Sequence, residues 1–120
     1  MINLLQRVQA FSRNSKVLFS LVIIVIVAYL HVIKTPSIEI DTLLSIDKFA
    51  HIMIFYFVGL WFFLITKKDH SLILIILLFI LALAMEFLQM NLSYRSFDWF
   101  DWLADAFGIL LSFFHLSKKL

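Results

Sequence analysis

The sequence predicts an all-α protein embedded in a membrane: a bundle of four transmembrane helices with both termini cytoplasmic. Three observations predict it. Of 120 residues, 63% are hydrophobic and 15% charged, and mean hydropathy is +1.02. A soluble domain runs nearer about 45–50% apolar and about 25% charged. Next, the chain divides into four apolar stretches, each close to the ~17–25 residues that a spanning helix needs at ~1.5 Å rise per residue. Last, the basic residues are distributed asymmetrically. With the N-terminus inside, Arg7, Arg13, Lys16, Lys67, Lys68, Lys118 and Lys119 are cytoplasmic, while only Lys34, Lys48 and Arg95 fall on the far side. An excess of Lys and Arg marks the cytoplasmic face.

Residues 1–16 read as a cytoplasmic or interfacial segment with Leu4, Leu5, Val8 and Phe11 turned towards lipid. The first span, about residues 17–33, is bracketed by Lys16 and Lys34. It is long for a signal-peptide core and no small-residue cleavage motif follows it, so it reads as a retained helix. Pro36 lies in the connection that follows, where a missing amide costs nothing. The second span covers about 48–66 and the third 71–90, separated by Lys67 and Lys68. The fourth covers 98–116, before a short tail at 117–120. Helices are the only reasonable form, because lipid offers no partner for an open backbone. Residues 17–116 therefore form one domain. With no cysteine, disulfides and thiolate metal sites are excluded. The scattered basic residues make no nucleic-acid stripe.

The polar residues of three spans collect at one level. The second span descends from the outer face, which puts Asp47, Lys48 and His51 at its outer end. The third ascends, so Glu86 and Gln89 lie near its outer end, with Glu86 about 7 Å deep. The fourth descends again, placing Asp98, Asp101 and Asp105 outermost, with Arg95 just before them. At ~100° per residue, Asp98, Asp101, Asp105, Gly108 and Ser112 share an arc of about 80°. Gly108 and Ser112 form a small-xxx-small pair that admits a close neighbour helix. Asp98 and Asp101 have an alternative role at the helix start, as cap and dipole partner. Asp105 lies too far in to cap, so its alternative is an ion pair with Lys48 or Arg95. Glu86 sits inside an apolar run, where a carboxylate costs roughly 2.5–3.5 kcal/mol at a helix centre and reads as functional by default. His31, at the outer end of the first span, can reach this cluster, though its spacing does not require it. Trp61 reads as an inner-interface anchor, and Tyr94, Trp99 and Trp102 as an outer aromatic belt.

The ordered set Asp47-Lys48-x-x-His51, Glu86-x-x-Gln89 and Arg95-x-x-Asp98-x-x-Asp101-x-x-x-Asp105-x-x-Gly108 resembles the VanZ-like family. These are small four-helix membrane proteins named after a protein associated with resistance to the glycopeptide teicoplanin. The likeness covers residues 47–112, about half the chain. The family usually has Asn at the place of Asp105, often a second glycine at that of Ser112, and often Pro-Gly where this chain has Ser93-Tyr94. The resemblance implies a multi-pass protein of the bacterial plasma membrane tied to the cell envelope and antibiotic tolerance; it implies a phenotype rather than a reaction.

Five acids (Asp47, Glu86, Asp98, Asp101, Asp105) against Lys48 and Arg95 leave an excess of three negative charges with His51 neutral. Protons, an imidazolium or an external cation must relieve it in a low dielectric. The sequence requires no cofactor. A Mg²⁺- or Ca²⁺-like ion on the carboxylates is chemically admissible, whereas zinc needs more nitrogen than His51 alone supplies. Three functions compete. In the first, Lys48, Arg95 and protonated His51 hold the anionic headgroup of an envelope lipid or glycan. In the second, Glu86 or Asp105 is a general base and His51 an acid or metal ligand in a membrane enzyme, although no nucleophile motif or H-E-x-x-H is present. In the third, the charges lock a structural partner subunit.

Overall fold

The computed structural model describes residues 4–32, 46–91 and 99–117, and every regular element among them is helical. The chain runs through a short α1 (Leu4–Gln9), then α2 (Arg13–Val32), α3 (Ile46–Ile65), a 3₁₀ turn (Lys68–His70), α4 (Ser71–Met90) and α5 (Trp99–Ser117). Pro36, Tyr94, Arg95, Asp98 and the tail at 118–120 lie outside the described residues, as does the side chain of Asp47, the second residue of α3.

Ser12 separates α1 from α2. Its Oγ accepts the Ser15 amide at 3.1 Å, the geometry of an N-cap satisfying an orphan donor of the first turn. α2 consequently begins at Arg13, one turn earlier than its apolar run. Val8 differs from its expected lipid-facing role: it is buried where α1 packs on α3. A six-residue helix has too little apolar area to hold an interface alone, and the end of α3 offers it a surface.

α2, α4 and Lys48–Ile65 of α3 are long and apolar enough to cross a membrane. The faces they leave uncovered are as apolar as the interior: Leu18, Leu21 and Val25 on α2, and Leu72, Ile76 and Ile80 on α4, are all exposed. Contiguous patches of this kind are rare on soluble monomers, and lipid is the solvent that tolerates them. α5 has a similar outward row in Phe100, Leu103, Phe107, Leu111 and Phe114, while its inward row carries two acids.

α3 and α5 make the most extensive helix pair. They run parallel, since Lys48 meets Asp101, His51 meets Asp105 and Phe63 meets Phe113. Their backbones touch through the only two glycines in the chain. A Cβ on Gly108 would collide with the Ile52 carbonyl and lie 3.0 Å from the Tyr56 amide nitrogen; one on Gly59 would collide with Ser112. Ser112 fits by folding its hydroxyl back onto the Ile109 carbonyl at 2.6 Å. Beside this seam, Val27, Phe55, Val58, Leu78, Ala82, Met85 and Ile109 fill the core among the helices.

Two tryptophans tie helices together. Trp61 on α3 donates its indole N–H to Ser20 on α2 at 3.0 Å. Trp102, expected in the aromatic belt, is half-buried and donates to the Phe79 carbonyl of α4 at 3.1 Å. An indole N–H facing hydrocarbon has no acceptor, so turning inward to a carbonyl is favoured. Trp99, in contrast, is exposed.

Candidate functional site

Because α2 and α4 run towards one end of the bundle and α3 and α5 away from it, the last turns of the first pair meet the first turns of the second. Their polar residues converge there in two tiers.

The outer tier is an ion pair. Lys48 Nζ lies 3.5 Å from Asp101 Oδ1, and the side chains are 21% and 8% exposed respectively. Partial exposure suits a lysine, whose long stem can cover apolar surface while its charged end keeps contact with water.

The inner tier is buried. Glu86 and Asp105 are completely covered, and His31, His51 and Gln89 nearly so. His51 Nδ1 lies 2.7 Å from Asp105 Oδ1 and 3.8 Å from Glu86 Oε1. Its other nitrogen, Nε2, lies 3.9 Å from Asp101 Oδ2 and so links the tiers. Among the described residues Asp105 pairs with His51 rather than with the Lys48 considered from sequence. Lys48 sits one turn further out and reaches Asp101, and Arg95 lies outside the described residues. Glu86 faces inward, on the same side of α4 as buried Ala82 and Gln89.

His31 is the residue that sequence reasoning underweighted. Its ring packs edge-on to His51, with centroids 5.1 Å apart at 81°. Its Nδ1 lies 2.7 Å from the Val27 carbonyl oxygen of its own helix. A carbonyl only accepts, so Nδ1 carries the proton and donates, and Nε2 bears the lone pair of the neutral ring. Gln89 donates from Nε2 to the His31 carbonyl at 3.0 Å, satisfying one of the carbonyls orphaned at the end of α2. Gln89 thus anchors the helix end that carries His31. The signal for His31 was its position at the outer end of the first span, level with the other polar residues.

Taken together, Glu86, Asp101 and Asp105 face Lys48 and two imidazoles. This set carries two net negative charges with both histidines neutral, and one with His51 protonated. The four inner side chains, His31, His51, Glu86 and Asp105, each offer a ligand atom, and all four atoms lie within 4.8 Å of one another. Such a set can relay a proton, hold a cation, or orient Lys48 through Asp101. The site does not coincide with two hollows elsewhere in the molecule. One, of about 320 Å³, lies at the opposite end beside Gln9, Phe63, Lys68 and Phe113; the other, of about 280 Å³, is an apolar groove between α2 and α3.

The family model for VanZ/LLP1 matches residues 2–117. The chain belongs to the VanZ/LLP1 family. No curated protein and no solved structure matches it. The VanZ/LLP1 match spans all the helices, α1 and α2 included, well beyond the stretch that carried the resemblance in sequence. It takes in every residue of both tiers, with Arg95 and Asp98.

Proposed function

We propose that this VanZ/LLP1 protein crosses a bacterial plasma membrane four times, with both termini cytoplasmic. In this reading it binds the anionic headgroup of an envelope lipid or lipid-linked glycan at the outer end of the bundle, and so contributes to tolerance of teicoplanin-type glycopeptides. The observation that carries the reading is the Lys48–Asp101 pair: a partly exposed lysine side chain, its ammonium 3.5 Å from the carboxylate, at the rim of a buried polar network. A phosphate arriving from the headgroup layer can take the ammonium in a charge-assisted bond. Asp101 then passes to His51, which lies 3.9 Å away. Arg95, four residues before the first residue of α5 in sequence, is the second cation of this reading. The fourth span is α5: its 19 residues extend about 28 Å, near the ~30 Å of a hydrocarbon core, and its outward row is apolar.

Binding of phosphatidylglycerol and of lipid-linked cell-wall precursor to the protein in nanodiscs tests the reading. Lys48→Ala and Arg95→Ala are expected to weaken it about tenfold or more each, in line with the ~1.5–3 kcal/mol of a hydrogen bond to a charged group. The wild type, but not Lys48→Ala, should raise the teicoplanin tolerance of a susceptible host. Unchanged headgroup binding in both variants refutes the anion site.

The complete burial of Glu86 and Asp105 favours one second reading, in which the inner tier locks the bundle of a partner subunit. Glu86→Gln separates the two. A loss of tolerance without a loss of thermal stability excludes the purely structural role.

A further inference from the structure

We propose that the inner tier is a divalent-metal site, with His31, His51, Glu86 and Asp105 as ligands and Asp101 and Gln89 as the groups that orient the two histidines. The proposal stands apart from headgroup binding, which is assigned to Lys48 and Arg95. Four observations carry it.

Each of the four long helices contributes one ligand, and the four ligand atoms already lie within 4.8 Å of one another. Bonds of about 2.0–2.2 Å put tetrahedral ligand atoms about 3.3–3.6 Å apart, so the widest gap needs to close by about 1.2–1.5 Å. His51 Nδ1 and Asp105 Oδ1, now 2.7 Å apart, need to open by somewhat less than about 1 Å.

His31 is held in the tautomer that a ligand requires. Its Nδ1–H is committed to the Val27 carbonyl at 2.7 Å, which leaves Nε2 to bind, and Gln89 fixes the backbone beneath it. Metal-binding histidines characteristically use one nitrogen on the metal and the other on a carbonyl or carboxylate.

His51 has the same arrangement with a carboxylate. Nδ1 faces Asp105 and Glu86, and Nε2 faces Asp101 at 3.9 Å, itself held by Lys48 at 3.5 Å. Binding through Nδ1 requires the tautomer with its proton on Nε2, facing Asp101. A neutral His51 reaches it by moving its single proton from Nδ1 to Nε2, with no net release. An imidazolium His51 reaches it by losing Nδ1–H, with release of one proton.

Charge and ligand type complete the case. Two carboxylates with two neutral imidazoles carry two negative charges, which a divalent ion neutralises without a proton. His31 supplies the second nitrogen that His51 alone lacked. Two nitrogens and two oxygens suit Zn²⁺ and its first-row relatives better than Ca²⁺ or Mg²⁺, which take oxygen shells.

The test uses the full chain, purified without chelator, its tag removed, in detergent. Co²⁺ titration is expected to give the visible absorption of a four-coordinate ion, saturating at a stoichiometric amount and displaced by Zn²⁺, and Zn²⁺ should raise the thermal midpoint. His31→Gln and Glu86→Gln should each lower Co²⁺ affinity by at least about 100-fold, and Asp101→Asn by about 10–100-fold, the range for a residue behind a ligand. Lys48→Ala should lose headgroup binding yet keep the Co²⁺ spectrum, so the two proposals fail separately. Should Glu86→Gln not fold, His31→Gln, a substitution at a helix end, decides alone. Absence of Co²⁺ absorption and of a Zn²⁺ stability shift in the folded wild type overturns the proposal. So does binding that is undiminished in His31→Gln.

Discussion

At His51 a single ring nitrogen faces two carboxylates, Asp105 at 2.7 Å and Glu86 at 3.8 Å. Removing the ring leaves both acids buried without it. In chelator, His51→Ala should destabilise the protein by about 3–5 kcal/mol, the cost of breaking one side of a buried pair. Asp105→Asn should cost less than half of that, because the amide oxygen still accepts Nδ1–H while one negative charge disappears. Denaturant unfolding in detergent measures both, and equal losses would show that His51 does not hold the acids together. Sequence periodicity put Glu86, His51 and Asp105 at one depth, because depth follows from counting residues along a span. Which acid meets which base was not legible. Pairing depends on helix rotation and neighbour order, and these are fixed by packing residues remote from the charges.

At the scale of the helices, the α3–α5 seam rests on glycines. Gly108→Ala would drive a methyl into the Ile52 carbonyl and the Tyr56 amide, backbone atoms that cannot rotate away. The helices must separate, at about 1–3 kcal/mol or more. Asp105 lies one turn from Gly108, so the same substitution should also weaken Co²⁺ binding at the inner tier. Gly59→Ala instead meets the Ser112 side chain, and Ser112→Ala should recover part of its loss. Thermal unfolding of the three variants, and of Gly59→Ala and Gly108→Ala each combined with Ser112→Ala, checks this order; full rescue of Gly108→Ala by Ser112→Ala would contradict it. The small pair Gly108–Ser112 was legible from its spacing. Its counterpart Gly59 was not singled out, although the scarcity of glycine in the chain is itself a signal for a mid-helix position. The inward turn of Trp102 was hidden for another reason: an indole suits both an interface and a helix carbonyl, and only the position of Phe79 decides between them.

At the scale of the whole molecule, apolar runs gave the number, length and order of the long helices, because in lipid a run of this length has one stable form. They missed the burial of Val8, since six residues carry too little pattern to tell a lipid-facing side from a docked one. The side on which each end emerges is open to direct measurement. The natural chain has no cysteine, so single replacements report without background. With four spans, Ser12→Cys and Ser117→Cys should react with an impermeant maleimide only after the cells are opened, and Ser37→Cys should react in intact cells. Labelling of Ser117→Cys from outside would mean that α5 does not cross.

The closest pair in the bundle, α3 with α5, is not consecutive in the chain, and this bears on biogenesis. A ribosome completes α3 before α4 and well before α5, so the glycine seam waits for the final helix. Of the two acids that face His51, Glu86 is made before Asp105. A nascent chain halted before Trp99 therefore lacks the helix that covers the glycine face of α3.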